Sequence, residues 1–97
     1  MYITIRRYKV DSPKEVTRLV NEGFFPLIRK VAGFVAYYGI ETGEDGWASI
    51  SAFETAAGAE ESNGVAAQFV KDNPDLAGLL KSPPEVVAGS VGAHTAK

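Results

Sequence analysis

Cysteine is absent from this chain of 97 residues, and histidine occurs only once. The missing thiols exclude disulfide bonds, a cysteine nucleophile and zinc or iron–sulfur sites with cysteine ligands. No apolar run approaches the roughly 20 residues that span a bilayer, so no membrane-spanning helix is predicted. The first residues, MYITIRR, lack the charged and then apolar order of a secretion signal, and we expect a cytoplasmic protein.

Neither sign of charge is in large excess, because the chain has 10 lysine and arginine residues and 12 aspartate and glutamate residues. The net charge of −2 does not favour nucleic-acid binding, since phosphate neutralisation needs clustered basic side chains. Hydrophobic residues make up 45% of the chain and charged residues 23%, which is a globular composition. The length predicts a single domain over residues 1–97.

Hydrophobic spacing predicts the order strand, helix, strand, strand, helix, strand. The predicted strands cover residues 2–9, 34–41, 47–54 and 85–95, and the predicted helices cover 13–30, 56–72 and, as a short extra segment, 75–81. Ser12 is expected to cap the first helix, with Pro13 at its first position and Glu15 completing a capping box. Pro26 is expected to kink or break that helix, because it has no N–H to donate.

This order is typical of the ferredoxin-like α+β fold, in which a four-stranded antiparallel sheet carries both helices on one face. The third strand shows no clearly polar side, since Ala48, Ile50 and Ala52 alternate with Trp47 and other apolar or small residues. An antiparallel sheet with one wet face alternates sharply between polar and apolar residues. We therefore expect a second copy of the chain to cover the other face in a homodimer. The alternative is a face of small residues left partly exposed.

Three segments follow the pattern of a known family: residues 31–38 (VAGFVAYY), 49–55 (SISAFET) and 59–63 (AEESN). They resemble the antibiotic biosynthesis monooxygenase (ABM) family, in which a Gly-Phe pair leads from the first helix into the second strand. In that family the third strand ends in an aromatic residue, an acidic residue and a Ser or Thr that opens the next helix. Phe53, Glu54 and Thr55 match, although the usual aromatic residue there is Trp. The resemblance implies a dimeric α/β barrel with a cavity in each subunit.

The resemblance also implies a range of activities. Some members oxidise polycyclic aromatic substrates with oxygen and no metal or organic cofactor, and others open haem. The haem-degrading members use an Asn on the first strand with a Trp and a His on the second helix. Here the first strand has no Asn and the second helix has neither Trp nor His, so haem degradation is not expected. No cofactor is expected either.

Four residues are candidates for catalysis or ligand binding: Arg6, Tyr37, Trp47 and Asn63. Arg6 and Arg7 point to opposite faces of the first strand, so one of them lies on a covered face. For Arg6 we expect a salt bridge across the dimer, with stabilisation of an anionic ligand or enolate as the alternative. For Tyr37 and Trp47 we expect core packing, with stacking on a planar substrate as the alternative. For Asn63 we expect surface exposure, with a cavity position as the alternative.

His94, the lone histidine, lies near the C-terminus, where we expect a solvated side chain in place of a general base. No metal is expected, because a zinc site needs three or four ligands at a recognisable spacing. The leading hypothesis is a cofactor-independent monooxygenase acting on a small aromatic or enolisable substrate. The alternative is a non-catalytic ligand-binding or interaction module of the same fold, which a cavity well below about 300 Å³ would favour.

Overall fold

The computed structural model describes all residues 1–97 and contains one four-stranded antiparallel sheet with helices packed on one face. The strands are β1 (Tyr2–Lys9), β2 (Phe34–Glu41), β3 (Gly46–Phe53) and β4 (Glu85–Ser90). The helices are α1 (Pro13–Gly23), α2 (Phe25–Ile28), α3 (Ala56–Asp72) and α4 (Pro74–Leu79). The sheet order is β2-β3-β1-β4, which confirms the predicted ferredoxin-like α+β fold. None of these helices has the length and hydrophobicity to traverse a bilayer.

The two main helices begin at the predicted capping residues. The Glu15 backbone N–H donates to Ser12 Oγ at 3.3 Å, and the Gly58 N–H donates to Thr55 Oγ1 at 3.1 Å. Each such cap contributes about 1 kcal/mol to helix stability. The second half of the predicted capping box does not form, because the Glu15 carboxylate pairs with Arg18 one turn further along α1.

The first helical region breaks where Pro26 was predicted to interrupt it. Helix α1 ends at Gly23, and α2 restarts at Phe25 as a single turn that contains Pro26. A Cβ at Gly23 would lie 3.2 Å from the Phe69 ring, so the break also brings α1 close to α3. After the break, α2 contributes the fully buried Ile28 to the core.

The last strand is shorter than predicted, since β4 ends at Ser90 and not at residue 95. The physical reason lies in its partner: β1 begins at Tyr2, which pairs with Ser90. One further hydrogen bond joins the Val91 N–H to the Met1 carbonyl oxygen at 2.9 Å. Beyond that point no strand remains for the chain to pair with, and a strand without a ladder is not formed.

The two faces of the sheet have different chemistry. The helix-covered face carries the even-numbered residues of β1 and the odd-numbered residues of β3. Its middle is polar and almost completely buried, with Thr4, Arg6, Ser49 and Ser51 side by side. The hydrophobic core surrounds this polar centre, and Phe24 packs against Phe69 with their ring centroids 5.1 Å apart.

The opposite side of the sheet, called here the open face, carries no helix and is mainly apolar, with the charged Arg7 and Glu85 at one end. It is formed by Ile3, Ile5, Ala36, Tyr38, Ile40, Ala48, Ile50, Ala52 and Val87. In the single chain Tyr38 is 63% exposed and Val87 is 53% exposed. This is the face that the sequence predicts a second copy of the chain to cover.

Candidate functional site

Arg6 lies at the centre of the helix-covered face and is only 2% exposed. Its Nη1 donates to Asn63 Oδ1 at 2.9 Å and to Ser62 Oγ at 3.4 Å, and its Nη2 donates to Ser51 Oγ at 3.3 Å. All three acceptors are neutral, and Arg6 takes part in none of the ion pairs of the chain. Arg6 therefore has no ion pair within the chain, and β1 turns its side chain towards α3, so the salt bridge expected across a dimer is not available to it if the open faces pair.

Asn63 is half-buried on α3 and faces the sheet, so the expectation of surface exposure is wrong. Its Oδ1 accepts hydrogen bonds from Arg6 and, at 3.3 Å, from Thr4 Oγ1. Ala59, Ser62 and Ala66 are buried on the same helix at three- and four-residue spacing, which marks the side of α3 that meets the sheet. Asn63 lies beside that stripe, and its amide fixes the orientation of the Arg6 guanidinium.

A narrow cavity, called here the inner pocket, lies between Arg6 and the aromatic core and has a volume of about 30 Å³. Arg6, Tyr37 and Trp47 line it together, so the structure brings three of the four candidates into one cavity. Tyr8 and Ser49 also line it, and sequence reasoning did not single out Ser49 as a site residue. Strand alternation is the sequence signal that places them there, because Tyr8 shares a face of β1 with Arg6 and Ser49 shares a face of β3 with Trp47.

A larger cavity, called here the outer vestibule, opens on the other side of Arg6 and has a volume of about 280 Å³. Asn63 lines it on α3, and the Ser82-Pro83-Pro84 connector lines its rim. It shares several lining residues with the inner pocket, namely Arg6, Tyr8, Ala66, Val70 and Leu80. The Arg6 cation therefore stands at the junction of the two cavities, and the vestibule is close to the about 300 Å³ at which small-molecule sites begin.

The two phenols beside Arg6 keep their protons at neutral pH. Burial raises the pKa of Tyr8 above its usual value of 10.0, although the positive charge of Arg6 acts in the opposite direction. Burial likewise raises the pKa of Tyr37, against the same opposing charge. Both phenols are thus hydrogen-bond donors without negative charge, and they leave the Arg6 cation uncompensated.

Trp47 is held at the far end of the inner pocket by a hydrogen-bonded chain that reaches the surface. Its Nε1 donates to Thr17 Oγ1 at 3.0 Å, and the Thr17 hydroxyl donates to Glu41 Oε2 at 2.7 Å. The Thr17 hydrogen bond holds the pKa of the Glu41 carboxyl below its usual value. On its other side the ring lies across Gly39, where a Cβ would sit 2.5 Å from Trp47. Trp47 therefore packs in the core, as expected, and also lines the inner pocket.

His94 is exposed and lies beyond β4, as expected. It borders a depression on the open face beside Met1 and Val87, and lines neither the inner pocket nor the outer vestibule. No group of three or more histidine, aspartate or glutamate side chains is arranged to hold a metal ion.

Solved structures of similar fold cover nearly the whole chain. NE2512, a protein of unknown function from Nitrosomonas europaea, has a TM-score of 0.78 at 20% identity, covering 99% of this chain and 93% of its own. The monooxygenase from the gene ActVA-Orf6 of Streptomyces coelicolor, in complex with nanaomycin D, has a TM-score of 0.75 at 18% identity, with coverages of 99% and 91%. SnoaB, a cofactor-independent oxygenase from Streptomyces nogalater, has a TM-score of 0.71 at 13% identity, with coverages of 99% and 97%. No family model and no curated protein matches the sequence. At these identities the likeness is one of fold.

Proposed function

Because this chain has the fold of the antibiotic biosynthesis monooxygenases, we propose that it is a cofactor-independent monooxygenase acting on a small aromatic or enolisable substrate. The observation that carries the proposal is Arg6, a buried cation without a carboxylate partner at the junction of two cavities. A fixed positive charge lowers the pKa of a bound phenol or enolisable carbonyl and stabilises the anion that forms. The oxygenases that share the fold support the same class of reaction.

In this proposal the substrate lies in the outer vestibule with its ionisable oxygen towards Arg6. Asn63 is a positioning residue, because its Oδ1 holds Arg6 Nη1 at 2.9 Å. Tyr37 and Trp47 close the inner side, where their buried rings exclude water. Exclusion of water strengthens the attraction between Arg6 and the substrate anion, since the local dielectric constant falls.

The proposed reaction takes its electrons from the substrate. An activated methylene carbon loses a proton to solvent at the mouth of the vestibule, and the resulting enolate forms a carbon–oxygen bond with dioxygen. A second proton leaves that carbon as the oxygen–oxygen bond breaks. One oxygen atom stays in the product as a carbonyl, and the other leaves as water. Oxidation of a methylene to a carbonyl supplies all the electrons that dioxygen takes up, so the balance requires no external reductant.

The substitution Arg6→Met tests the proposal, with Arg7→Met as the matched control on the open face. A panel of hydroxylated aromatic and enolisable compounds is screened for oxygen uptake, and the product is identified by mass. We expect Arg6→Met to lower kcat/KM by about 10²–10³, the usual effect of removing one group that stabilises a developing oxyanion. Arg7→Met keeps the wild-type value. Unchanged turnover in Arg6→Met, or no oxygen uptake with any compound, would contradict the assignment.

A non-catalytic ligand-binding module is the second candidate. It is favoured by the small volume of the inner pocket and by the position of His94 outside both cavities, which leaves no histidine to act as a base. Such a module binds aromatic anions in the vestibule with the same dependence on Arg6 but consumes no oxygen. Binding, measured by thermal shift, and oxygen uptake, measured on the same sample, distinguish the two functions.

We also propose that the open face pairs with the same face of a second copy, giving the homodimer. In an antiparallel sheet the face that meets water carries mainly polar residues, and the open face carries mainly apolar ones. Contiguous apolar patches on a protein surface mark interaction sites. A two-fold axis allows one such patch to cover itself, because each residue then contacts its counterpart region on the other copy.

A further inference from the structure

Two buried polar atoms of the inner pocket, Arg6 Nε and Ser49 Oγ, have no well-formed hydrogen bond within the protein, although the Tyr8 phenol lies beside Arg6 and the Tyr37 phenol beside Ser49. Arg6 is 2% exposed and Ser49 is 1% exposed, and both side chains line the pocket. A buried donor without a partner costs about 1–3 kcal/mol, and more when it is charged. Since native proteins pair nearly all buried polar atoms, two such atoms in one cavity indicate a ligand that accepts hydrogen bonds.

The charge around the inner pocket favours an anion as that ligand. Arg6 meets only the neutral oxygens of Ser51, Ser62 and Asn63, and no carboxylate lies within ion-pair distance of it. The two phenols that line the pocket are protonated and supply no negative charge. A buried cation without a counter-charge is strongly unfavourable, whereas a hydrogen-bonded anion beside it compensates the charge.

The volume of the inner pocket limits the size of the anion. A single water molecule needs roughly 10–15 Å³ of such space, so the about 30 Å³ available accepts two or three atoms at most. Apart from the two phenols, the rest of the wall is largely apolar, including Phe24, Phe69 and Leu76, and it offers no second cation for a more highly charged ion. Sulfate and phosphate are excluded on both grounds.

We propose that the inner pocket binds a small monovalent anion of one to three atoms, held by Arg6 Nε and Ser49 Oγ. This site adjoins the outer vestibule, which is assigned to the organic substrate, and the two share Arg6. An anion in the inner pocket and an anionic substrate in the vestibule therefore compete for the Arg6 charge. The anion proposal rests on the pocket and its two donors, so it is tested independently of any oxygenase activity.

Bromide is the probe for the first test, because its anomalous scattering identifies it directly. Crystals of the unmodified chain are soaked in bromide or, as a control of equal ionic strength, in sulfate. We expect an anomalous peak in contact with Arg6 Nε and Ser49 Oγ, and no sulfate in the pocket. If the pocket holds a water molecule and bromide is found only on the surface, the bromide is an adventitious ion only, and the proposal is overturned. Since the unmodified chain is used, this test does not depend on how any variant folds.

The second test compares Ser49→Ala with Ser51→Ala in solution. Both remove a buried hydroxyl from the same face of β3, but Ser51 contacts Arg6 Nη2 without lining the inner pocket. Bromide affinity, obtained from the rise in Tm with bromide concentration, is expected to fall about tenfold or more in Ser49→Ala. That factor follows from the about 1.5–3 kcal/mol of a hydrogen bond to a charged group. We expect Ser51→Ala to stay within about threefold of wild type. Equal bromide affinity in Ser49→Ala and wild type overturns the site.

Discussion

At the scale of the residue, Arg6 owes its chemistry to its place in β1. Strand alternation directs Arg6 under α3 and its neighbour Arg7 to the open face, so two identical side chains meet opposite environments. Arg7 is exposed, with Glu85 opposite it in the β1–β4 pairing, whereas Arg6 is enclosed among neutral oxygens. The sequence predicted that the pair would be split but not which member is buried, because that depends on which face the helices cover.

Tyr37 gives a prediction at the same scale. Burial raises its pKa in the folded chain above the 10.0 of an unperturbed phenol, so above pH 10 the unfolded chain loses this proton first. The contribution of Tyr37 to stability is complete below pH 10 and is lost as the pH rises further, by up to about 1.4 kcal/mol per pH unit. We expect Tyr37→Phe to flatten the decline in unfolding free energy above pH 10, measured by urea titration.

Tyr37→Phe removes only the phenolic hydroxyl and keeps the ring, so wild type is its matched comparison. A decline that is equally steep in Tyr37→Phe and wild type would show that burial of this phenol does not couple folding to pH.

At the scale of the element, α3 controls the site through its rotation about its own axis. Thr55 sets its start, and the spacing of Ala59, Ser62, Ala66 and Phe69 sets the side that meets the sheet. The sequence predicted the start and end of this helix, since capping residues and Asn73-Pro74 are local signals. It did not predict the inward position of Asn63, because a few tens of degrees of rotation separate a contact with Arg6 from exposure to water.

Two glycines of α3 give opposite predictions on substitution by alanine. A Cβ at Gly58 would lie 2.7 Å from the Ala32 carbonyl oxygen and 3.3 Å from Phe53, whereas one at Gly64 would meet nothing within 4 Å. We expect Gly58→Ala to lower the free energy of unfolding by about 1–3 kcal/mol through overpacking. Gly64→Ala is expected to raise it by about 0.5–1 kcal/mol through better helix propensity.

Chemical denaturation monitored by circular dichroism measures both alanine variants under one set of conditions. The paired design separates the close contact at Gly58 from the general effect of removing a helical glycine. If both substitutions were stabilising, the tight approach of α3 to the end of β3 would be wrong.

At the scale of the whole molecule, one sheet presents two faces that need different covers. The helices cover the face with the buried polar centre, while the apolar open face remains on the outside of the single chain. The residue pattern of the strands already indicated this problem, since the predicted third strand lacked a clearly polar side. Which side would be left uncovered was not predictable, because the handedness and docking of the two helices decide it and no single strand records them.

The open face predicts the oligomeric state of the molecule. We expect the wild-type chain to sediment at twice its mass of 10.3 kDa. Ile50→Lys is expected to sediment at the mass of one chain, because it places a charge in the middle of the open face, opposite Ile5 and Tyr38. Leu27→Lys, on α2 and away from that face, is the control and is expected to remain dimeric. A wild-type chain that sediments singly at high concentration would exclude the homodimer.

The Ser82-Pro83-Pro84 connector at the rim of the outer vestibule determines how freely that mouth adapts to a guest. Each proline ring fixes one backbone torsion before anything binds, so the rim has little freedom to lose on occupation. For the proposed substrate site we therefore expect selectivity to follow the preset outline of the opening: a flat molecule that matches it enters at a low ordering cost, and a bulky one does not fit.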